Sequence, residues 1–178
     1  MPTAMLGEVG IHFELHGSEG EPLVLVHGYT GDFSDWCHQV AAFAATHRVL
    51  VMDHRGHGRS QAPRERSAYT IDRMTDDLEA LIAHVGFERV HLVGHSMGGA
   101  IAQELALRHP ERLRSLTLED TAPAFEIMRT PAVARIFEAG FRLAEEQGMA
   151  AVARLAGVHP PRTRARSASG RSANASRG

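Results

Sequence analysis

The segment Gly94-His95-Ser96-Met97-Gly98-Gly99 places a serine among glycines, between an apolar run, Val90 to Val93, and a helix-patterned run, Ala100 to Leu107. In that setting G-x-S-x-G is a sharp strand-to-helix turn that lifts the serine hydroxyl onto an exposed apex. Glycine is needed at 94 and 98, where side chains would collide. A helix starting directly behind Ser96 turns its first N–H groups, beginning with that of Met97, toward any negative charge that develops on an attacked carbonyl oxygen. The competing reading is a structural Gly-rich turn with no chemistry.

Acyl transfer needs a second N–H donor for the oxyanion, and a glycine-containing loop after another central strand is the usual source. His27-Gly28-Tyr29-Thr30-Gly31 follows the apolar run Leu23 to Val26, so the N–H of Tyr29 is the candidate donor. Gly28, Trp36 and His95 are expected around the substrate pocket, with Phe33 lining or supporting its apolar wall. A third segment, Asp53-His54-Arg55-Gly56-His57-Gly58-Arg59-Ser60, invites a metal reading through Asp53, His54 and His57. It lacks a third or fourth ligand at helical i, i+4 spacing. A tight loop, with Asp53 capping the turn through its carboxylate, is the preferred reading.

These segments must be held by a sheet. Pro22 to Val26, Arg48 to Met52, Arg89 to Val93 and Ser115 to Glu119 are nearly continuous apolar runs, expected as strands buried on both faces of a mostly parallel sheet. Ile11 to His16 alternates, as a half-exposed strand near a sheet edge does. Phe33, Trp36, Val40 and Phe43 recur at helical spacing. Ile71, Met74, Leu78, Leu81, Ile82 and Val85 do the same, with Thr70 as N-cap and Gly86 as stop, and so do Ile101, Leu105 and Ala106. After Ala122 only helical patterns follow, from Pro131 and from Met149 to Leu155.

Composition narrows the chemistry further. The 178-residue chain is 43% hydrophobic and carries all 19 basic charges on Arg. Without Lys there is neither a P-loop nor a Lys Schiff base. The lone Cys37 excludes an intramolecular disulfide. No run reaches the length of a membrane span, so a cytoplasmic protein is expected. Residues 161–178 hold five Arg and no acid, and the stretch from His159 is expected to be disordered. A basic arm for nucleic acid is the functional alternative for this tail, and nothing else in the chain supports it.

The order HGYTGDFSDW, MDHRGHGRS, LVGHSMGGAIAQELALRHPERLRSLTLED resembles the α/β-hydrolase fold superfamily, over roughly residues 9 to 122. It is most similar to the small esterase, lactonase and haloperoxidase-type members. The resemblance implies an α/β fold: a mostly parallel sheet with flanking helices and a partial helical cap, its C-terminal strands missing. The implied divisions are a core at 1–122, a partial cap at 123–158 and a tail at 159–178. It also implies Ser96 as nucleophile, Met97 and Tyr29 as oxyanion donors, a small-molecule acyl substrate, and neither metal nor organic cofactor. Epoxide hydrolases and haloalkane dehalogenases are similar in sequence but carry an aspartate at the elbow, which the serine argues against. In this family the acid and the base follow later strands. Asp120, or Glu119, is the candidate acid here, and none of His27, His54, His57, His95, His109 or His159 is expected to serve as base. The chain is therefore expected to be an N-terminal portion, truncated or out of frame from near His159, with an exposed apolar edge at its sixth strand. Two other readings remain: a non-catalytic binding protein on the same fold, and a Rossmann-type nucleotide site, which lacks the middle glycine where Ser96 stands.

Overall fold

The computed structural model describes residues 2–122 and 131–155. Six strands, β1 (Thr3–Leu6), β2 (Val9–His16), β3 (Glu21–Val26), β4 (His47–Met52), β5 (Val90–His95) and β6 (Leu113–Glu119), form one sheet in the order β1-β2-β4-β3-β5-β6. β3 pairs in parallel with β4 and β5, and β5 with β6; the β1–β2 hairpin joins antiparallel to β4. Helices α1 (Cys37–Phe43), α2 (Ile71–His84) and α3 (Met97–Arg108) make the crossovers.

Successive strand residues face opposite sides of the sheet, and each side has its own cover. Val24, Val26, Leu50, Met52 and Leu92 pack with Leu78, Leu81 and Ile82 of α2 and Ile101 and Leu105 of α3. Leu23, Leu25, Val49 and Val51 pack with Trp36, aided by Phe33, Val40 and Val93. Helix α2 begins where expected, the Thr70 hydroxyl accepting the Arg73 N–H at 3.2 Å. It stops at Gly86, which at φ +74° takes the left-handed turn that a side chain resists.

Four elements depart from the sequence expectation. Strand β1 was not anticipated, because four residues carry no usable periodicity. The first half of β2 is buried rather than half-exposed: β1 and β4 flank it, and His12, 1% exposed, gives its N–H to the Ser60 hydroxyl at 2.8 Å. The helix expected from Phe33 begins at Cys37, after a 3₁₀ turn over Phe33–Trp36 capped by the Asp32 carboxylate on the Ser34 N–H. Strand β6, expected to be buried on both faces, is exposed from Arg114 to Glu119, since no further strand flanks it among the described residues. That leaves Leu116 and Leu118 on an apolar edge, as the incomplete sheet implied.

The chain divides into two compact units, 1–133 and 134–178. Helices α4 (Pro131–Gln147) and α5 (Met149–Leu155) fall in the stretch assigned to a partial cap. The tail expected at 159–178 lies outside the described residues, as do 123–130. Among the described residues no helix is long and apolar enough to cross a membrane.

Candidate active site

Ser96 stands between β5 and α3 with φ +52° and ψ −113°, a left-handed conformation that costs a non-glycine residue on the order of 1–3 kcal/mol. The surroundings hold it there. The Ser96 N–H donates to the Glu119 carbonyl at 2.9 Å, and the Ser96 carbonyl accepts the Thr121 hydroxyl at 2.8 Å. A methyl group on Gly94 would stand 2.5 Å from the Gly98 carbonyl oxygen, and one on Gly98 only 2.3 Å from that of Val26. The two glycines thus let strand, turn and helix close onto one another. Because α3 starts at Met97, the N–H groups of Met97 and Gly98 lie at its open N-terminal end beside the serine, while that of Gly99 bonds to the Ser96 carbonyl at 3.0 Å.

The loop after β3 passes directly over this apex. A methyl group on Gly28 would lie 3.3 Å from Ser96 Cβ and 2.9 Å from His95 Nδ1, so only glycine lets the backbone run so close to the serine. Tyr29 is next in the chain. The loop is fixed from below by Asp53, fully buried at the end of β4, whose carboxylate accepts the N–H of Phe33 and of Arg59, both at 2.8 Å. Asp53 therefore acts as the turn cap expected of it, and it joins the loop after β4 to the loop after β3. Arg55 anchors the same segment through two 2.7 Å bonds to the buried Asp77 on α2.

Beneath the Gly28 loop, the rings of His27, His54 and His57 meet in a cluster, the first two buried and the third half-buried. His27 Nε2 accepts the backbone N–H of His54 at 3.1 Å, so its proton sits on Nδ1 and is donated to the Gly28 carbonyl at 2.8 Å. His54 in turn donates from Nε2 to the His27 carbonyl at 3.1 Å, which leaves its buried Nδ1 without a partner. Burial pushes His27 down to about 4, partly opposed by its bond to Gly28. It pushes His54 far below the usual imidazole range, helped by the neighbouring His27 and His57, and it lowers His57 as well. These rings are neutral supports of the loop, not proton carriers at neutral pH.

A cavity of about 220 Å³ opens beside the apex, lined by His27, Asp35, Trp36, Gln39, His95 and Glu119. Trp36 Nε1 and Gln39 Oε1 are buried there without hydrogen-bond partners. Burial raises the Asp35 carboxyl, with the nearby Asp32 charge adding to the effect. Two of the expected pocket residues, Trp36 and His95, are thus on this wall, and Gly28 forms the edge between it and Ser96. Asp35, Gln39 and Thr121 were not singled out from the sequence. An exposed-looking polar residue on a short helical turn carries no signal of its own until the turn is seen to close a cavity.

Among the described residues no histidine nitrogen bonds to the Ser96 hydroxyl. Asp120, the candidate acid, is exposed at φ +47° just past β6 and bonds to no histidine there. His109 lies at the far end of α3, bonded to Glu111 at 3.3 Å, and His159 is outside the described residues.

Residues 21–162 match the family model described as the alpha/beta hydrolase fold. The acetyltransferase component (dihydrolipoyllysine-residue) of the acetoin cleaving system of Pseudomonas putida is 42% identical over 121 residues, covering 66% of this chain and 32% of that protein. RutD of Azorhizobium caulinodans, provisionally named a carbamate hydrolase, is 41% identical over 118 residues, 66% of this chain and 43% of its own. Among solved structures, the enol-lactonase from Burkholderia xenovorans LB400 superposes with a TM-score of 0.73 at 31% identity, covering 87% of this chain and 58% of the enzyme. The chain spans about a third to a half of the length of the curated relatives it matches.

Proposed function

The chain belongs to the alpha/beta hydrolase fold family, and on that premise we propose that it carries the nucleophile half of a serine hydrolase acting on an ester, lactone or related acyl bond. The observation that carries this is Ser96 itself: a serine held at φ +52° on a strand-to-helix turn, with the start of α3 behind it and Gly28 against its Cβ. A carboxylate nucleophile, as an alkyl-enzyme ester needs, is not what stands at this apex.

Ser96 Oγ attacks the carbonyl carbon, and the N–H groups of Met97 and Tyr29 receive the oxygen as it becomes an oxyanion. Some relatives' names are compatible with this reading, since lactones, carbamates and acetyl groups all present a carbonyl bonded to a heteroatom, while epoxide hydrolases and a fluoroacetate dehalogenase are similar to the chain as well. The acyl portion sits toward Trp36 and His95, where the unpartnered Trp36 Nε1 offers a donor to a polar atom of the substrate. Such chemistry uses protein groups alone and calls for no cofactor. Its substrate is a small molecule, and nothing in the reading involves nucleic acid or a membrane.

Removing the proton from Ser96 requires a base. With no described histidine on that hydroxyl, and with only Asp120 or Glu119 as candidate acid, the chain by itself is expected to acylate slowly and turn over weakly. A fluorophosphonate probe tests the assignment. Peptide mapping should find the label on Ser96, and Ser96→Ala should abolish labelling at that peptide. Tight binding of a small ligand without any label on Ser96 would instead establish the alternative, a non-catalytic binding protein on this fold.

A further inference from the structure

A second serine lies in a hydrogen-bonded chain away from the Ser96 apex, on the sheet face that carries Leu23, Leu25 and Val93. His91 on β5 bonds through Nε2 to Glu21 Oε2 at 2.7 Å and through Nδ1 to the Ser115 hydroxyl at 2.8 Å. A carboxylate only accepts, so Nε2 carries the ring proton and Nδ1 presents a lone pair to the Ser115 O–H. The Arg114 guanidinium holds the other carboxylate oxygen of Glu21 at 2.9 Å. Hydrogen bonding from His91, with the charge of Arg114 next, keeps that carboxyl below its ordinary range.

The arrangement depends on an irregularity in the sheet. Val90 pairs with Leu113, but His91 pairs with Ser115, so Arg114 is an extra residue in β6. In an unbroken ladder Arg114 would face His91 and Ser115 would fall on the opposite side of the sheet. The bulge re-aims Ser115 onto the face of His91 and Glu21, a use of bulges that recurs next to reactive sites. From His91 an apolar groove of about 350 Å³ runs along the sheet, its walls including Leu23, Leu25, Phe43 and Val93.

We propose that Ser115 is a second acylating serine, with His91 as its base, Glu21 as the acid that orients His91, and the apolar groove as the seat of an aliphatic or aromatic acyl group. Ser115 Oγ attacks the ester carbonyl carbon while its proton passes to His91 Nδ1. The carbon–oxygen bond to the leaving alcohol then breaks, and the alkoxide takes the proton back from His91. Water, deprotonated by the same Nδ1, cleaves the acyl-Ser115 ester, releases the acid and restores the hydroxyl. The balance closes on ester and water alone. The reacting residues of this site, Ser115, His91 and Glu21, are distinct from those at the Ser96 apex, although the groove reaches Trp36, Gln39 and Glu119, which also line the cavity beside Ser96.

The test uses the full chain carrying Ser96→Ala, treated with an alkyl fluorophosphonate and with p-nitrophenyl butyrate, the modified residue being located by peptide mass mapping. The Ser115 peptide should be labelled in that background. Labelling and the butyrate burst should vanish in Ser96→Ala/Ser115→Ala and fall at least about tenfold in Ser96→Ala/His91→Gln. Ser115 is exposed and His91 partly so, and an unchanged urea midpoint in each variant shows that folding is retained. An unlabelled Ser115 in the folded Ser96→Ala chain would overturn the proposal, and so would a labelling rate that His91→Gln leaves intact, which marks an ordinary surface serine. Loss of the Ser96 label alone bears only on the elbow assignment.

Discussion

Acid should weaken this fold, and His27 supplies a part of the effect whose size can be worked out. Burial moves the folded-state value of His27 down to about 4, whereas an exposed imidazole in the unfolded chain titrates near 6.5. Between those values the unfolded chain binds a proton that the folded chain refuses, so stability rises with pH. The contribution is present above pH 6.5 and lost as the pH falls toward 4. In full it amounts to about 3 kcal/mol, of which about 2 kcal/mol is gone by pH 5. In urea, with a slope near 2 kcal/mol/M, that corresponds to a midpoint lower by roughly 1 M at pH 5 than at pH 7. His54 and His57 act in the same direction, so the wild-type loss should be at least this large. The His27→Gln variant, which cannot titrate, should lose stability at pH 7 and show an acid dependence smaller by about 2 kcal/mol. Long-range nitrogen–proton spectra give an independent reading: His27 should stay neutral, with its proton on Nδ1, down to about pH 4. A His27 resonance that titrates near 6.5, or a His27→Gln variant with undiminished acid lability, would refute the reasoning.

Other perturbations have equally definite outcomes. Gly98→Ala drives a methyl group into the Val26 carbonyl, so it should destabilise the fold by several kcal/mol, on the order of other overpacking changes, and abolish labelling of Ser96. Asp53→Asn can accept only one of the two N–H groups now held, and should cost about 1–3 kcal/mol in urea unfolding and loosen the Gly28 loop in amide exchange. Asp77→Ala strands the buried Arg55 charge, and should lower stability by roughly 3–5 kcal/mol; a loss below about 1 kcal/mol would show that solvent already reaches the pair.

The elbow was legible because its geometry is enforced by residue type: glycines are required at 94 and 98, where an added methyl group would stand 2.5 Å or less from a backbone carbonyl oxygen, and the flanking apolar runs identify both elements. The buried strands β3 and β4 were legible for the same reason, whereas β5, expected to be buried on both faces, is buried on one only, with His91, Val93 and His95 partly exposed. For β6 the apolar run alone suggested burial on both faces, and only the lack of later strands in the sequence pattern pointed to its exposed edge, because an apolar run states what could be buried, not what arrives to bury it. The Asp53 cap followed from the turn chemistry of its neighbours, but its second bond, to Phe33, joins residues twenty positions apart and leaves no local trace. The cavity wall shows this limit again. Trp36 was named for the pocket from the sequence, while Asp35, on the 3₁₀ turn, and Gln39, on α1, acquire a place on the wall only once both elements are packed beside His95. The Ser115–His91–Glu21 chain joins three strands through one extra residue in β6, and no periodicity in the sequence announces that slip.

The unusual backbone at position 96 is imposed by Gly94, Gly98, Gly99 and Thr121 rather than by the side chain that occupies it. The reacting group and the frame that presents it are therefore separable. Exchanging Ser96 for Cys or Asp removes none of the backbone and glycine contacts that clamp the turn, so a single substitution would put a thiol or a carboxylate where the proposed nucleophile stands. Changing the frame instead requires strand, loop and helix to move together, and single substitutions offer no gradual route to it. This turn is a socket: its shape is conserved by steric necessity, and its chemistry is open to replacement one residue at a time.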